Sequence, residues 1–94
     1  MISAIVLINA EIDRIPEVAA AIADLNGVSE VYSVTGDVDL IAVVRVRHHE
    51  ELADVIADQL NKVAGVLGTQ THIAFRTYSK HDLEAAFSLG LDDA

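Results

Sequence analysis

Apolar positions along this chain fall into two dense runs and several periodic ones. Ile2-Ser3-Ala4-Ile5-Val6-Leu7-Ile8-Asn9 is short, β-branched and almost continuously apolar, and Leu40-Ile41-Ala42-Val43-Val44-Arg45-Val46 has the same character. Runs of that length and composition read as strands covered on both faces, hence central in a sheet. After the first run, Pro16 sits where a first helical turn tolerates proline, and Glu17 is favourable near a helix N-terminus. Val18, Ile22 and Leu25 follow at helical spacing, and Asn26-Gly27 closes the helix. Val28 to Val34 alternates and carries Ser29, Glu30 and Ser33, the pattern of an edge strand.

The second half repeats this order. Thr35–Asp39 reverses the chain into the second dense run. A second helix follows, with Glu50 and Glu51 in its first turn and a stripe at Leu52, Val55, Ile56, Leu60 and Val63. Lys62 lies near its end and Gly65 terminates it. Val66 to Tyr78 reads as the last strand, with Thr69, Thr71, Ile73, Phe75 and Thr77 on one face. Gln70, His72, Ala74, Arg76 and Tyr78 fall on the other. Ser79 with Asp82 three residues on is a capping-box pattern that opens a short C-terminal helix bearing Leu83 and Phe87. Leu91 extends that stripe, towards the chain's own sheet or a neighbouring subunit, and the tail Asp92-Asp93-Ala94 is expected to fray.

Strand, helix, glycine-valine, strand thus occurs twice, with Gly27-Val28 and Gly65-Val66 at matching places. The β-α-β-β-α-β order predicts an α+β, ferredoxin-like fold: a four-stranded antiparallel sheet with two helices on one face. Ninety-four residues make one domain, 1–94. Two central strands apolar on both faces leave the second sheet face to be covered, since soluble monomers seldom expose more than a few hundred Å2 of contiguous apolar surface. The expected cover is the same face of a second copy, in a C2 dimer.

Composition narrows the function. The chain is 52% hydrophobic and only 4% aromatic, so the core is aliphatic and disorder is excluded. No apolar run approaches a membrane span, and residues 1–15 carry no signal-peptide pattern. The absence of cysteine excludes disulfides, thiolate metal sites and thiol catalysis, and fits a cytoplasmic location. A net charge of −9, with six scattered basic residues, argues against direct nucleic-acid binding.

The polar groups best suited to a small ligand converge in Val34-Thr35-Gly36-Asp37-Val38-Asp39-Leu40. A free amino acid needs carboxylates or carbonyls for its ammonium, and backbone N–H groups or hydroxyls for its carboxylate. Asp37 and Asp39 can supply the first; Gly36 and the hydroxyls of Thr35, Thr69 and Thr71 the second. The same turn is also good hairpin chemistry, with Asp capping through its own backbone, and spacing alone leaves both readings open. His48 and His49 are adjacent and cannot chelate one metal as an i, i+4 pair would; they are expected to begin the second helix in solvent. His72 is expected as a half-buried structural histidine, and His81 at the surface. No metal or cofactor is implied.

At this point Gly27-Val28-Ser29-Glu30-Val31-Tyr32-Ser33-Val34-Thr35-Gly36-Asp37-Val38-Asp39-Leu40 resembles the effector domain of the Lrp/AsnC regulators. Val63-Ala64-Gly65-Val66 followed by Thr69-Gln70-Thr71 is similar to that family's entry into its last strand, and the resemblance spans about residues 2–80. It implies a dimeric α+β barrel that assembles into a ring of dimers, with amino acids or related small molecules bound between dimers. It also favours the ligand reading of Gly36, Asp37 and Asp39. The family's regulators carry an N-terminal helix-turn-helix domain, whereas here the first strand begins at Ile2, so the expectation is a stand-alone effector domain that oligomerises and acts through a partner Lrp/AsnC regulator. A purely structural oligomerisation module is the alternative. A small α+β-barrel enzyme relying on His72 is the other, by fold analogy alone; the sequence has no Ser/His/Asp set, HExxH or phosphate-binding glycine loop.

Overall fold

The computed structural model describes residues 1–80 of the chain. The expected C-terminal helix with Leu83, Phe87 and Leu91, together with His81 and the tail, lies outside the described residues.

Strands β1 (Ile2–Ala10), β2 (Val28–Ser33), β3 (Leu40–Val46) and β4 (Val66–Ile73) form one sheet in the order β2-β3-β1-β4. Each neighbouring pair is antiparallel. The two dense apolar runs are therefore the central strands, and the alternating strand is an edge. Helix α1 (Ile15–Ala23) connects β1 to β2, entered through a 3-10 turn at Ile12–Arg14, with proline in its first turn. The second connection is helix α2 (His49–Leu52), continued by a π-helical segment Ala53–Gln59 and a 3-10 turn Leu60–Lys62. This is the ferredoxin-like βαββαβ arrangement.

The core lies between the sheet and the helices. Ala4, Val6, Ile8 and Ala10 of β1 and Leu40, Ala42, Val44 and Val46 of β3 are all buried. Register sets them side by side, Ala4 with Val44, Val6 with Ala42 and Ile8 with Leu40. Val18 and Ile22 from α1, with Leu52, Val55 and Leu60 from the second connection, complete the cluster. The strand alanines leave room for these larger helix side chains. On the opposite sheet face Ile5, Leu7, Ile41 and Val43 stay partly or largely accessible, Ile5 at 41%.

Two elements depart from the sequence reading. The second helix is not a regular α-helix throughout. With 3.6 residues per turn, Leu60 would lie about 140° around the axis from Val55. The i→i+5 ladder of the π segment widens the turn and brings the two back towards one face, where both are buried. The last strand ends at Ile73 rather than Tyr78. β4 pairs only with β1; Ile73 is opposite Ala4, and the Ala74 N–H reaches the Ser3 carbonyl at 2.9 Å. β1 runs on to Ile2 beyond that point, but β4 does not pair with it, and Phe75 and Tyr78 stand 100% and 71% exposed.

Candidate ligand-binding site

The turn between β2 and β3 sits beside the C-terminal end of β1, and this neighbour decides what its carboxylates do. β1 pairs with β3 only as far as Ile8 opposite Leu40. Asp39 carries the ladder one step further. Its N–H donates to the Ile8 carbonyl at 2.9 Å, and its own carbonyl accepts the Val34 N–H at 3.1 Å. Its side chain then accepts the Ala10 N–H through Oδ2 at 2.9 Å. Asp39 is half-buried, and its Oδ2 closes this corner of the sheet.

Asp37 is different. It is exposed, as are Thr35 and Gly36, and neither the Asp37 carboxylate nor the Thr35 hydroxyl makes a hydrogen bond among the described residues. Gly36 has φ 123°, a conformation side chains resist, yet a Cβ built there would meet nothing within 4 Å. Glycine is required here by the backbone and not by crowding inside the subunit. Whatever approaches this turn closely comes from outside.

Thr69 and Thr71 lie on β4, on the far side of β1. Ile8 is flanked by Leu40 on one side and Thr69 on the other, so Thr69 stands two strand spacings, about 10 Å, from the start of β3. Thr71 is opposite Val6, further from the turn. One subunit therefore brings the turn and the threonines to the same region of the sheet without bringing them into contact. The Thr69 hydroxyl donates to Asn61 Oδ1 at 2.7 Å. Asn61 and Thr69, with Val66, Leu67 and Gly68, line a shallow cavity of about 240 Å3. Asn61 is a residue the sequence reading missed; an asparagine in the last turn of a helix carries no signal of its own.

The histidines among the described residues have no chelating arrangement. His48 precedes α2 and His49 begins it, both exposed, and no group of three or more His, Cys, Asp or Glu able to hold a metal occurs among the described residues. His72 corrects the expectation of a half-buried histidine. It is exposed, opposite Ile5 on the edge strand, because the helices cover the other side of the sheet and β4 has no outer neighbour. Across the same open face, the Tyr32 hydroxyl donates to Glu30 Oε2 at 2.7 Å, which holds the phenol proton above its ordinary range. Arg45 reaches Glu30 at 4.0 Å. These polar groups border the apolar patch of Ile5, Leu7, Ile41 and Val43.

The chain is thus a small ferredoxin-like α+β domain with a polar reversal at one sheet corner and an open apolar sheet face. Residues 3–83 match the model of the Lrp/AsnC ligand binding domain, and the chain belongs to that family. It is 32% identical over 77 residues to the HTH-type transcriptional regulator FL11 of Pyrococcus horikoshii, covering 82% of this chain and 50% of that protein. The chain thus spans about half the length of the curated relatives it matches. Among solved structures it is similar to TTHA0845 from Thermus thermophilus, with 46% identity, a TM-score of 0.80, and coverage of 85% of this chain and 100% of that one. It is also similar to a feast or famine regulatory protein from M. tuberculosis complexed with L-methionine, with 28% identity, a TM-score of 0.67, and coverage of 85% and 54%. The domain is a ligand-binding regulatory one, not a catalytic one. No helix among the described residues is long and apolar enough to cross a membrane.

Proposed function

We propose that this domain binds a free amino acid or a closely related metabolite at the Thr35–Asp39 turn, in a cleft that a second subunit completes. The observation that carries this reading is the contrast within the turn. Asp39 is spent on the Ala10 amide, whereas Asp37 and Thr35 have no protein partner among the described residues, beside an uncrowded glycine. Asp37 takes the ligand ammonium, the Gly36 amide and Thr35 hydroxyl its carboxylate, and Thr69 and Thr71 serve from a neighbouring copy. That neighbour is needed because the two groups are separated by β1 within one subunit. The relative solved with L-methionine supports the ligand class.

The open sheet face supports the assembly. An apolar centre of Ile5, Leu7, Ile41 and Val43, rimmed by Tyr32, Glu30 and Arg45, fits the same face of a second copy related by a two-fold axis. Dimers then associate into a ring, and the ligand between them changes that assembly, alone or mixed with a full-length Lrp/AsnC regulator in the cytoplasm. Transcription is modulated through that regulator's DNA-binding domain.

A thermal-shift panel of the common amino acids at millimolar concentration tests the proposal. A ligand at 100 times its Kd stabilises the native state by about 2.7 kcal/mol. For a domain of this size that raises Tm by on the order of 10 °C or more. A shift with one or a few amino acids, lost in Asp37→Ala, is the expected result. A flat panel would overturn the ligand reading and leave an oligomerisation module.

A further inference from the structure

At the opposite end of the sheet the close of β3, the α1–β2 turn and the second helix border an open cavity of about 490 Å3. Val46 and Val55, 5% and 6% exposed, contribute apolar lining. Charged side chains of both signs line it as well. Arg45 lies at the end of β3 and Arg47 in the bend just after it, and both line the cavity. Glu51 and Asp54 stand three apart on the second helix and are neighbours on its surface. The chain has six basic residues against fifteen acidic ones, so a place where two cations meet two anions is not a sample of its average surface.

Some of these charges are already engaged. Arg45 reaches Glu30 at 4.0 Å, and Glu51 Oε2 accepts the Arg47 backbone N–H at 3.2 Å. The Arg47 guanidinium and the Asp54 carboxylate have neither an ion pair nor a hydrogen bond among the described residues. A guanidinium and a carboxylate facing one cavity without pairing each other leave room for a molecule that carries both complementary charges.

We infer that this cavity is a second small-molecule site, and that its ligand is a zwitterion with an α-ammonium, an α-carboxylate and an apolar side chain. Arg47 grips the carboxylate, in the bidentate geometry guanidinium groups favour. Asp54, with Glu51, receives the ammonium, and the side chain lies on Val46 and Val55. The volume is in the range of small-molecule pockets, roughly 300–1,000 Å3, and holds a free amino acid or a dipeptide. Leu40–Val44 of β3 separate it from the Thr35–Asp39 turn, about 20 Å from Asp39 to Arg45, so no single small ligand touches both places. The site stands independently of the one proposed at the turn.

The test is amide chemical-shift mapping on the full chain, 15N-labelled, titrated separately with L-valine and with L-valyl-L-valine. The expected result is saturable shifts at the amides of Gly27, Val46, Arg47 and Val55. Tighter saturation by valine assigns the site to free amino acids, and tighter saturation by the dipeptide assigns it to peptides. Arg47→Gln and Asp54→Asn, both exposed positions, should each weaken binding about tenfold or more, the loss of one charge-assisted bond. Asp37→Ala should leave it unchanged. No saturable shift at these amides with either probe would overturn the inference, as would shifts that survive both substitutions. Shifts confined to Gly36 and Thr69 would overturn it while leaving the turn site standing; shifts confined to the Arg47 end would do the reverse.

Discussion

Asp39→Ala separates the carboxylate that closes the sheet corner from the one proposed to bind ligand. The substitution removes the acceptor of the Ala10 N–H, a 2.9 Å bond to a charged group. Hydrogen bonds to charged groups contribute about 1.5–3 kcal/mol, and a buried donor left without a partner costs about 1–3 kcal/mol. These are two descriptions of one loss and do not add. Ala10 is only 4% exposed, so water replaces the carboxylate poorly, and the upper half of the range applies. A loss of about 2–3 kcal/mol lowers Tm by roughly 10–20 °C in a domain of this size. Asp39→Asn keeps an acceptor oxygen without the charge and should fall between wild type and Asp39→Ala. Asp37→Ala, exposed and unbonded, should stay within about 0.5 kcal/mol of wild type. The assay is thermal denaturation followed by circular dichroism at one fixed protein concentration, because association makes the midpoint concentration-dependent. Hydrogen exchange at the Ala10 amide gives a local readout, and the amide should exchange faster in Asp39→Ala. An Asp39→Ala protein melting within roughly 2 °C of wild type would refute the reasoning, since that corresponds to under about 0.5 kcal/mol. Asp37→Ala must then lose ligand at full stability, whereas any binding loss in Asp39→Ala is compared well below its own midpoint.

Two further substitutions probe the scaffold and the assembly. Gly65→Ala places a side chain at φ 97° with its Cβ 2.6 Å from Val18 Cγ2; the conformational penalty of about 1–2 kcal/mol and overpacking of about 1–3 kcal/mol together lower stability by about 2–5 kcal/mol, and Val18→Ala in the same chain should recover part of the steric share in a denaturation midpoint. Leu7→Glu puts a charge at the centre of the open sheet face, where Leu7 neighbours Ile41 and Gln70; sedimentation velocity should show monomer with unchanged secondary structure, and an unchanged assembly would mean that this face is not the interface.

What the sequence made legible was local. β1 and β3 could be placed at the sheet centre because seven or more nearly continuous aliphatic residues have few other uses in a chain this short. The glycine-valine pairs marked both helix ends, and the turn at 35–39 announced itself by composition. The missing parts depend on partners far along the chain. The Asp39–Ala10 bond spans 29 residues, so nothing beside Asp39 distinguishes it from Asp37. β4 was read as running to Tyr78 because its own alternation continues; its pairing with β1 stops at Ile73, opposite Ala4. His72 was expected to be half-buried from its mid-strand place, but exposure follows from β4 being the outermost strand. The π segment was invisible because Leu52, Val55, Ile56, Leu60 and Val63 already satisfy an α-helical stripe.

The repeat in the sequence has a counterpart in the packing, and it explains why one chain of this size holds two differently equipped sheet ends. Gly27 closes α1, and a Cβ there would lie 2.9 Å from Val55 of the second helix. Gly65 closes the second helix, and a Cβ there would lie 2.6 Å from Val18 of α1. Each half thus ends against the helix of the other. The carbonyls of the two glycines are used in parallel fashion: Gly27 accepts the Arg45 N–H and Gly65 the Glu11 N–H, both at 2.8 Å, so each glycine also ties down the end of a central strand, β3 in one case and β1 in the other. A β-α-β unit with its glycine unengaged would lack both contacts, which is why the halves should unfold together and not as separable motifs. Because these reciprocal contacts are made by backbone, glycine and buried valine, they place no demand on the residues beyond them. The Thr35–Asp39 turn at one end and the Arg47–Asp54 cavity at the other are free to carry different chemistry on equivalent supports, as loops on a rigid scaffold do.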